Sequence, residues 1–311
     1  MTQALHPDRG IALLNALIMV AAISAIATGL MLRAETSRSR VEHLQISQQA
    51  ALHLDAAEWL IDPVLRADWE RDQSLDHLLE GWSLAGFQAD IDRAQMTGTI
   101  TDLQGRYNVN ALSDSADLNA VQSFDRLLAT LGLPLTLGRD IAGFVQARGP
   151  AQTSDYANRP LPLFPAGAPL DRIEDLRLVN GMTAETYARL LPFVAALPPG
   201  GGLNVNTASP EVLGAMLPAT NPAGVAQLIA DRGRNPFADA DDFTTRAEAL
   251  LHPRVITQAL APEGGFVTAT DWFEARFDVT LDGRIQSRIL TVERSTLTGA
   301  VTIRHRRTVT P

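Results

Sequence analysis

Few side chains in this chain are spaced for chemistry. Six histidines, at 6, 43, 53, 77, 252 and 305, are scattered, and none stands at a metal-ligand spacing from a second histidine. Cysteine is absent, which excludes disulfides and thiolate metal sites. Asp239, Asp241 and Asp242 form an acidic cluster without the glycine and distal glutamate of an EF-hand, and the expectation is a solvated turn before Phe243. No nucleophile elbow, phosphate loop or dinucleotide fingerprint occurs. The sequence therefore predicts neither a catalytic nor a cofactor-binding residue.

The strongest signature in the chain lies at its front. Arg9 and Gly10 are followed by a run with no charge until Arg33. At ~1.5 Å per residue this run makes a helix of roughly 33 Å, enough to cross a bilayer core of about 30 Å. It is too long for the core of a cleavable secretory signal, although Thr28 to Leu30 and Ala34 imitate a late cleavage site. An ordinary signal anchor is the other plain reading. By charge counting, Arg33, Arg38 and Arg40 after the helix would keep the following chain in the cytoplasm.

The helix does not stop at the membrane. No proline or glycine lies between Arg33 and Ile61, and Val41, Leu44, Ala51, Leu54, Ala57 and Ile61 repeat at about 3.6 residues. Asp62-Pro63 is the predicted end, giving one helix over 11–62. Residues 63–96 read as short helices and turns anchored by Trp69, Trp82 and Phe87, and 97–103 as a strand. Proline- and glycine-broken helices are predicted at 116–131, 137–147, 171–178, 183–196, 208–217, 222–232 and 252–260. Asp171 and Thr183 are the expected N-caps of two of these, and Pro210 sits in a first turn. Strands follow from 266 to 279, from 284 to 292 beyond the Asp282-Gly283 turn, and from 301 to 309, where Arg304, Arg306 and Arg307 suit an edge. The 97–103 strand has no neighbour nearby in sequence. The simplest fold pairs it with the last strands and treats 111–262 as an insertion.

Arg9, Gly10 and Ile11-Ala12-Leu13-Leu14 resemble the prepilin-type leader of type IV pilins and type II secretion pseudopilins. The resemblance implies a leader over 1–10 and cleavage after Gly10 by a prepilin peptidase. Ile11 would become a methylated N-terminus, and residues 11–32 a single membrane span. It also implies the bacterial inner membrane, with the globular part in the periplasm, against the charge count. Asn15 stands where most members carry glutamate. That absence, the Asp102-x-x-Gly-Arg-x-Asn-x-Asn110 stretch and the split sheet together resemble the K-type minor pseudopilins. The implied fold is α+β: a pilin-like unit with a long N-terminal helix and a small antiparallel sheet, formed by 63–110 and 263–311. A large α-domain with helix-hairpin-helix-like units, over 111–262, interrupts it. The implied role is at the tip of the secretion pseudopilus, in its initiation and in protein export across the outer membrane. The implied partners are the I- and J-type minor pseudopilins, with secreted substrates as further partners.

Two departures bear on this. Some K-type members bind calcium through an Asp-rich loop, but the counterpart at 143–149 has lost its acids and only Asp155-Tyr156 resembles the second segment. One carboxylate is too few for an ion that takes six to eight oxygens. Second, 203–213 with 226–237 resembles a helix-hairpin-helix, and 173–183 is a weaker copy, which makes a membrane-anchored DNA-binding protein the rival reading. Phosphate recognition needs a Gly-x-Gly hairpin at a helix N-terminus. Here the place reads Pro218-Ala-Thr-Asn-Pro222-Ala-Gly224. Net charge is -9 and all 26 basic residues are arginine, so general phosphate affinity is not expected.

Overall fold

A computed structural model describes residues 8–84, 86–150, 153–165 and 167–309. Most of the leader, 1–7, lies outside them. Helix α1 runs Asp8–Glu58, so its first turn reaches back across Gly10. It is followed by α2 (Ile61–Arg71) and a short α3 (Gly81–Leu84). The predicted helix end at Asp62-Pro63 is displaced. Pro63 cannot donate to the Trp59 carbonyl and its ring crowds that oxygen. The chain therefore breaks at Trp59–Leu60, and Pro63 falls in the first turn of α2, where a missing N–H is harmless.

Two strands follow, β1 (Phe87–Ile91) and β2 (Ala94–Asp102). Strand β1 is missing from the sequence reading, because its turn, Asp92-Arg93, carries no glycine and Asp92 itself takes a φ of 52°. Next come β3 (Tyr107–Asn108), a 3-10 turn at Val109–Ser113, α4 (Leu118–Thr130), α5 (Thr136–Val145), α6 (Ser154–Ala157), a 3-10 segment at Ile173–Leu178 and α7 (Ala184–Leu190). Then come β4 (Val194–Ala195), β5 (Leu203–Asn204), α8 (Pro210–Met216), α9 (Pro222–Arg234), α10 (Ala240–Leu250), α11 (Arg254–Thr257) and β6 (Phe266–Val267). The chain ends with β7 (Trp272–Leu281), β8 (Arg284–Arg294) and β9 (Val301–Val309).

Several predicted boundaries shift for local reasons. Pro192 denies Ala188 its helical partner, so α7 stops at Leu190 and the chain turns into β4 instead of continuing to 196. Thr183 caps α7 as expected, accepting from the Thr186 amide at 3.1 Å. Asp171 caps nothing; the 3-10 segment begins after Arg172 without a side-chain bond. The expected turn before Phe243 is the start of α10. Asp239 accepts from the Asp242 amide at 2.7 Å, and Asp241 and Asp242 sit in the first turn, where the helix dipole favours acids.

The sheet is antiparallel with order β1-β2-β7-β8-β9. The predicted long-range pairing is present: β2 lies against β7 from Ala94↔Leu281 to Asp102↔Phe273. The β7–β8 turn uses Asp282 and Gly283 with φ of 48° and 75°, as an Asp-Gly hairpin requires. Alternate residues of β7, including Phe273, Ala275, Phe277 and Val279, bury one face against Leu54, Ala57, Ile61 and Leu65 of α1 and α2. A second core lies between β2 and β7 in sequence and is built on Phe124, Leu127, Ile141, Leu213 and Phe243. The two cores meet where the chain leaves β2 and returns to β7.

Candidate functional site

The candidate assembly element is α1. Its apolar half is bare among the described residues: Leu13, Leu17, Ile18, Met19 and Met31 are each 58–71% exposed. The helix is long and apolar enough to cross a membrane. Apolar surface on this scale is stable only in lipid or against other helices. Ile11 and Asn15 both lie on this bare stretch, on the same rod as Gly10. Further along, α1 turns amphipathic and Ala50, Leu54 and Ala57 are buried against the sheet. Arg288 of β8 reaches across to Asp55 and, at 2.5 Å, to Glu58, which Arg306 of β9 also holds. The exposed rod is thus fixed to the sheet by both packing and ion pairs.

Beneath α2, at the meeting of the two cores, lies a buried polar cluster with no signature in sequence. Arg294 is 1% exposed. Its Nη2 donates to both Asp76 oxygens at 2.6 Å, its Nη1 donates to Asp68 at 3.2 Å, and the guanidinium lies 4.8 Å from the Phe273 ring centroid. Glu80 and His77 lie beside it; Glu80 accepts from Trp82 Nε1 at 2.6 Å and from the His77 amide at 3.0 Å. Thr270 bridges to the next carboxylate, donating to Asp102 at 2.8 Å while its amide donates to Asp76 at 2.7 Å. Asp102 also accepts from Asn204 Nδ2 at 2.9 Å and Thr207 Oγ1 at 2.6 Å. The oxygens of Asp68, Asp76 and Glu80 converge as metal ligands would, but Arg294 already supplies the cation.

Burial outweighs the guanidinium here. It raises the Asp68, Glu80 and Asp102 carboxyls and pushes Asp76 up to about 7. A raised carboxyl binds its proton more tightly folded than unfolded, so stability falls as pH rises. The increment is whole below the ordinary carboxylate value of about 4 and is lost as pH rises from there through about 7, with a slope of up to ~1.4 kcal/mol per pH unit for each proton. Urea midpoints at pH 5.5 and pH 8 check this. The lower pH should give the higher midpoint, and Asp76→Asn should flatten the difference.

The Asp102 to Asn110 stretch is a staple for this junction. A Cβ on Gly105 would lie 2.5 Å from Thr207 Oγ1, so close approach demands glycine there. Asn108 Oδ1 accepts from the Leu197 amide at 3.1 Å, and Asn110 Nδ2 donates to the Leu170 and Leu197 carbonyls, both at 2.9 Å. These asparagines bond backbone both locally, where Asn108 Oδ1 also accepts from the Asn110 amide at 3.1 Å at the start of the 3-10 turn, and 60 to 89 residues along the chain.

The helix-hairpin-helix-like unit is built for packing. Arg232, the buried cation of α9, donates to the Val205 and Ala208 carbonyls at 2.7 and 2.8 Å. The Gly224 amide at the start of α9 is taken by Asn221 at 2.8 Å, and Pro222 offers no donor. The hairpin thus lacks the pair of open glycine amides that phosphate recognition uses. The calcium counterpart fares no better: Gly143 to Val145 lie within α5, and Asp155 accepts from Asn180 Nδ2 at 3.1 Å. These residues do not fit a calcium ion.

The chain matches the family model for the type II secretion system (T2SS), protein K, over residues 105–199 and 203–262. It is 32% identical over 309 residues to type II secretion system protein K of Pseudomonas aeruginosa, covering 92% of this chain and 89% of the relative. With the protein K of Klebsiella pneumoniae it shares 28% over 318 residues, covering 96% and 97%. Its fold is similar to a chain in the crystal structure of the GspK-GspI-GspJ complex from the enterotoxigenic Escherichia coli type 2 secretion system. That likeness has a TM-score of 0.74 at 24% identity and covers 88% of this chain and all of the other. The family match runs through the very segment that raised the DNA-binding reading, and these relatives give that reading no support. A chain with a bare apolar rod fixed to a split antiparallel sheet, and with these relatives, belongs to the type II secretion system protein K family of minor pseudopilins.

Proposed function

We propose that this chain is made as a precursor with a leader over 1–10, is cut after Gly10 by a prepilin peptidase, and begins at Ile11 when mature. Residues 11–32 hold it in the inner membrane with the globular part in the periplasm, and later pack among neighbouring helices in the pseudopilus. The observation that carries this reading is the continuity of α1: one helix supplies both the lipid-compatible rod and the buried spine of the sheet. A cleaved or flexibly tethered anchor has no need of that continuity. The segment 111–262 acts as a bulky insertion in a pilin-like unit formed by 63–110 and 263–311. Its bulk fits the filament tip, where no subunit must stack above it. Asn15 fits the same place, since a terminal subunit has no neighbour whose amine must be neutralised. A relative crystallised as a GspK-GspI-GspJ complex supports I- and J-type minor pseudopilins as partners. The role is mechanical, in initiation and export, without a reaction of its own.

Intact mass after co-expression with a prepilin peptidase tests the proposal. The product should lack Met1 to Gly10 and start at Ile11. A full-length product, or a cut beyond residue 30, would remove the pseudopilin processing scheme.

A further inference from the structure

The two rims of the sheet are defended differently. Strand β9 closes one rim with Arg304, Arg306 and Arg307, and a register irregularity lies in its pairing at Thr291/Val292. Cationic side chains and bulges of this kind block stray pairing. Strand β1 closes the other rim with Phe87-Gln-Ala-Asp-Ile91, which carries no basic residue and no proline. The two-residue turn makes Ile91↔Ala94 the first hydrogen-bonded pair, so Phe87, Ala89 and Ile91 turn their backbone groups to β2. Gln88 and Asp90 turn theirs outward, where the sheet has no further strand among the described residues.

An apolar slot of ≈ 410 Å³ lies beside this rim. Phe277 and Gly98 line it together with Ile61, Trp82 and Phe87. Leu60 and Val64 at its mouth are 38% and 40% exposed. Asp90 is exposed and makes no ion pair among the described residues. Open backbone groups, an apolar slot on the inner face and an unpaired acid on the outer face describe one ligand shape.

We propose that β1 receives an extended strand of another polypeptide, antiparallel like the rest of the sheet. The added strand carries a basic residue beside Asp90 and, three residues later, a large apolar residue that enters the slot beside Phe87. The spacing follows from the pleat: positions beside Gln88 and Asp90 face outward, and those beside Phe87, Ala89 and Ile91 face inward. Main-chain bonds supply affinity and the two side chains supply selection, as in other strand additions. This surface is independent of the processing scheme above.

The test uses the detergent-solubilised full-length chain and a fluorescein-labelled peptide, Val-Arg-Val-Thr-Phe-Thr, read by fluorescence anisotropy. Saturable binding is expected. Gln88→Pro removes an outward N–H and leaves the Phe87 and Ala89 amides for β2, so it should weaken binding at least tenfold. Asp90→Arg should weaken the same peptide and favour its counterpart with Glu in place of Arg, which keeps the test open if the proline variant does not fold. No saturable binding, or equal binding by the chain and both variants, overturns the proposal. So does a dimer in solution that Gln88→Pro returns to monomer, because the rim would then belong to a second copy of this chain.

Discussion

Arg294→Ala should lower the unfolding free energy by ~3–5 kcal/mol, the range for removing one partner of a buried charge pair. The loss has three parts. Asp76 loses its two short bonds, Asp68 loses its bond at 3.2 Å, and the Thr270 and Leu65 carbonyls lose donors at 3.2 and 3.4 Å. The surviving acids can escape part of the penalty by taking up protons, so the effect should be larger at pH 8 than at pH 5.5. Arg294→Lys should recover little, because an ammonium cannot bond Asp76 and Asp68 from two arms of one plane. Urea titration of the full-length chain in detergent, followed by tryptophan fluorescence, gives the comparison; Trp82 bonds Glu80 beside the cluster and reports on it directly. A variant within 1 kcal/mol of the parent would mean that the cluster is solvated and not the joint described here.

Gly264→Val should be nearly as damaging, for a reason of space and not charge. A Cβ at Gly264 would lie 2.5 Å from the Gly200 carbonyl oxygen and 2.5 Å from the Gly202 amide nitrogen. Both obstacles are backbone, so neither can rotate away. Gly202 is equally confined, 2.6 Å from Val267 Cγ1 and 2.9 Å from the Gly264 oxygen. These glycines let β5 and β6 run side by side, with the Leu203 amide donating to the Gly265 carbonyl at 3.0 Å. Forcing the two segments apart should remove ~3 kcal/mol, the upper part of the range for overpacking. Gly233→Ala, where nothing lies within 4 Å, is the control and should change the midpoint little. Equal midpoints for Gly264→Val and Gly233→Ala would show that the crossing is loose.

Much of the fold was legible because its signals are local. The Asp282-Gly283 turn, the Ser209-Pro210 helix start and the arginines of β9 each sit beside the element they define. The β2–β7 pairing was legible for a different reason: a lone strand must find partners, and only the C-terminal strands were left. Proline at 63 was seen but misplaced, since a proline acts on the carbonyl four residues before it as well as on its immediate neighbour. Helix α10 carried a readable signal, Asp239 with Asp242 three residues on, which the acidic cluster disguised as a solvated turn. The Arg294 cluster was not legible at all. Its members come from α2, the loop after it, the end of β2, the approach to β7 and the end of β8, and no spacing in sequence relates them.

The pairing of Asp102 with Phe273 has a consequence for how the molecule is made. These neighbours across a ladder are separated by the whole helical lobe, a loop of ~170 residues whose closure entropy must be met before the contact returns anything. Such long-range pairings are slow in a disordered chain. The lobe has its own apolar core, and β5 within it holds both ends, bonding Gln104 and Asp102 through Asn204 on one side and pairing with β6 on the other. Once the lobe has condensed, the effective loop shrinks to the few residues between its ends and the strands. Synthesis favours the same order, since β7 to β9 leave the ribosome after the lobe. Until they arrive, β2 has one open rim and α1 lacks the strands that bury Leu54 and Ala57. The early chain is thus a finished lobe hanging from an unfinished sheet, and the sheet is the part that a chaperone would have reason to hold.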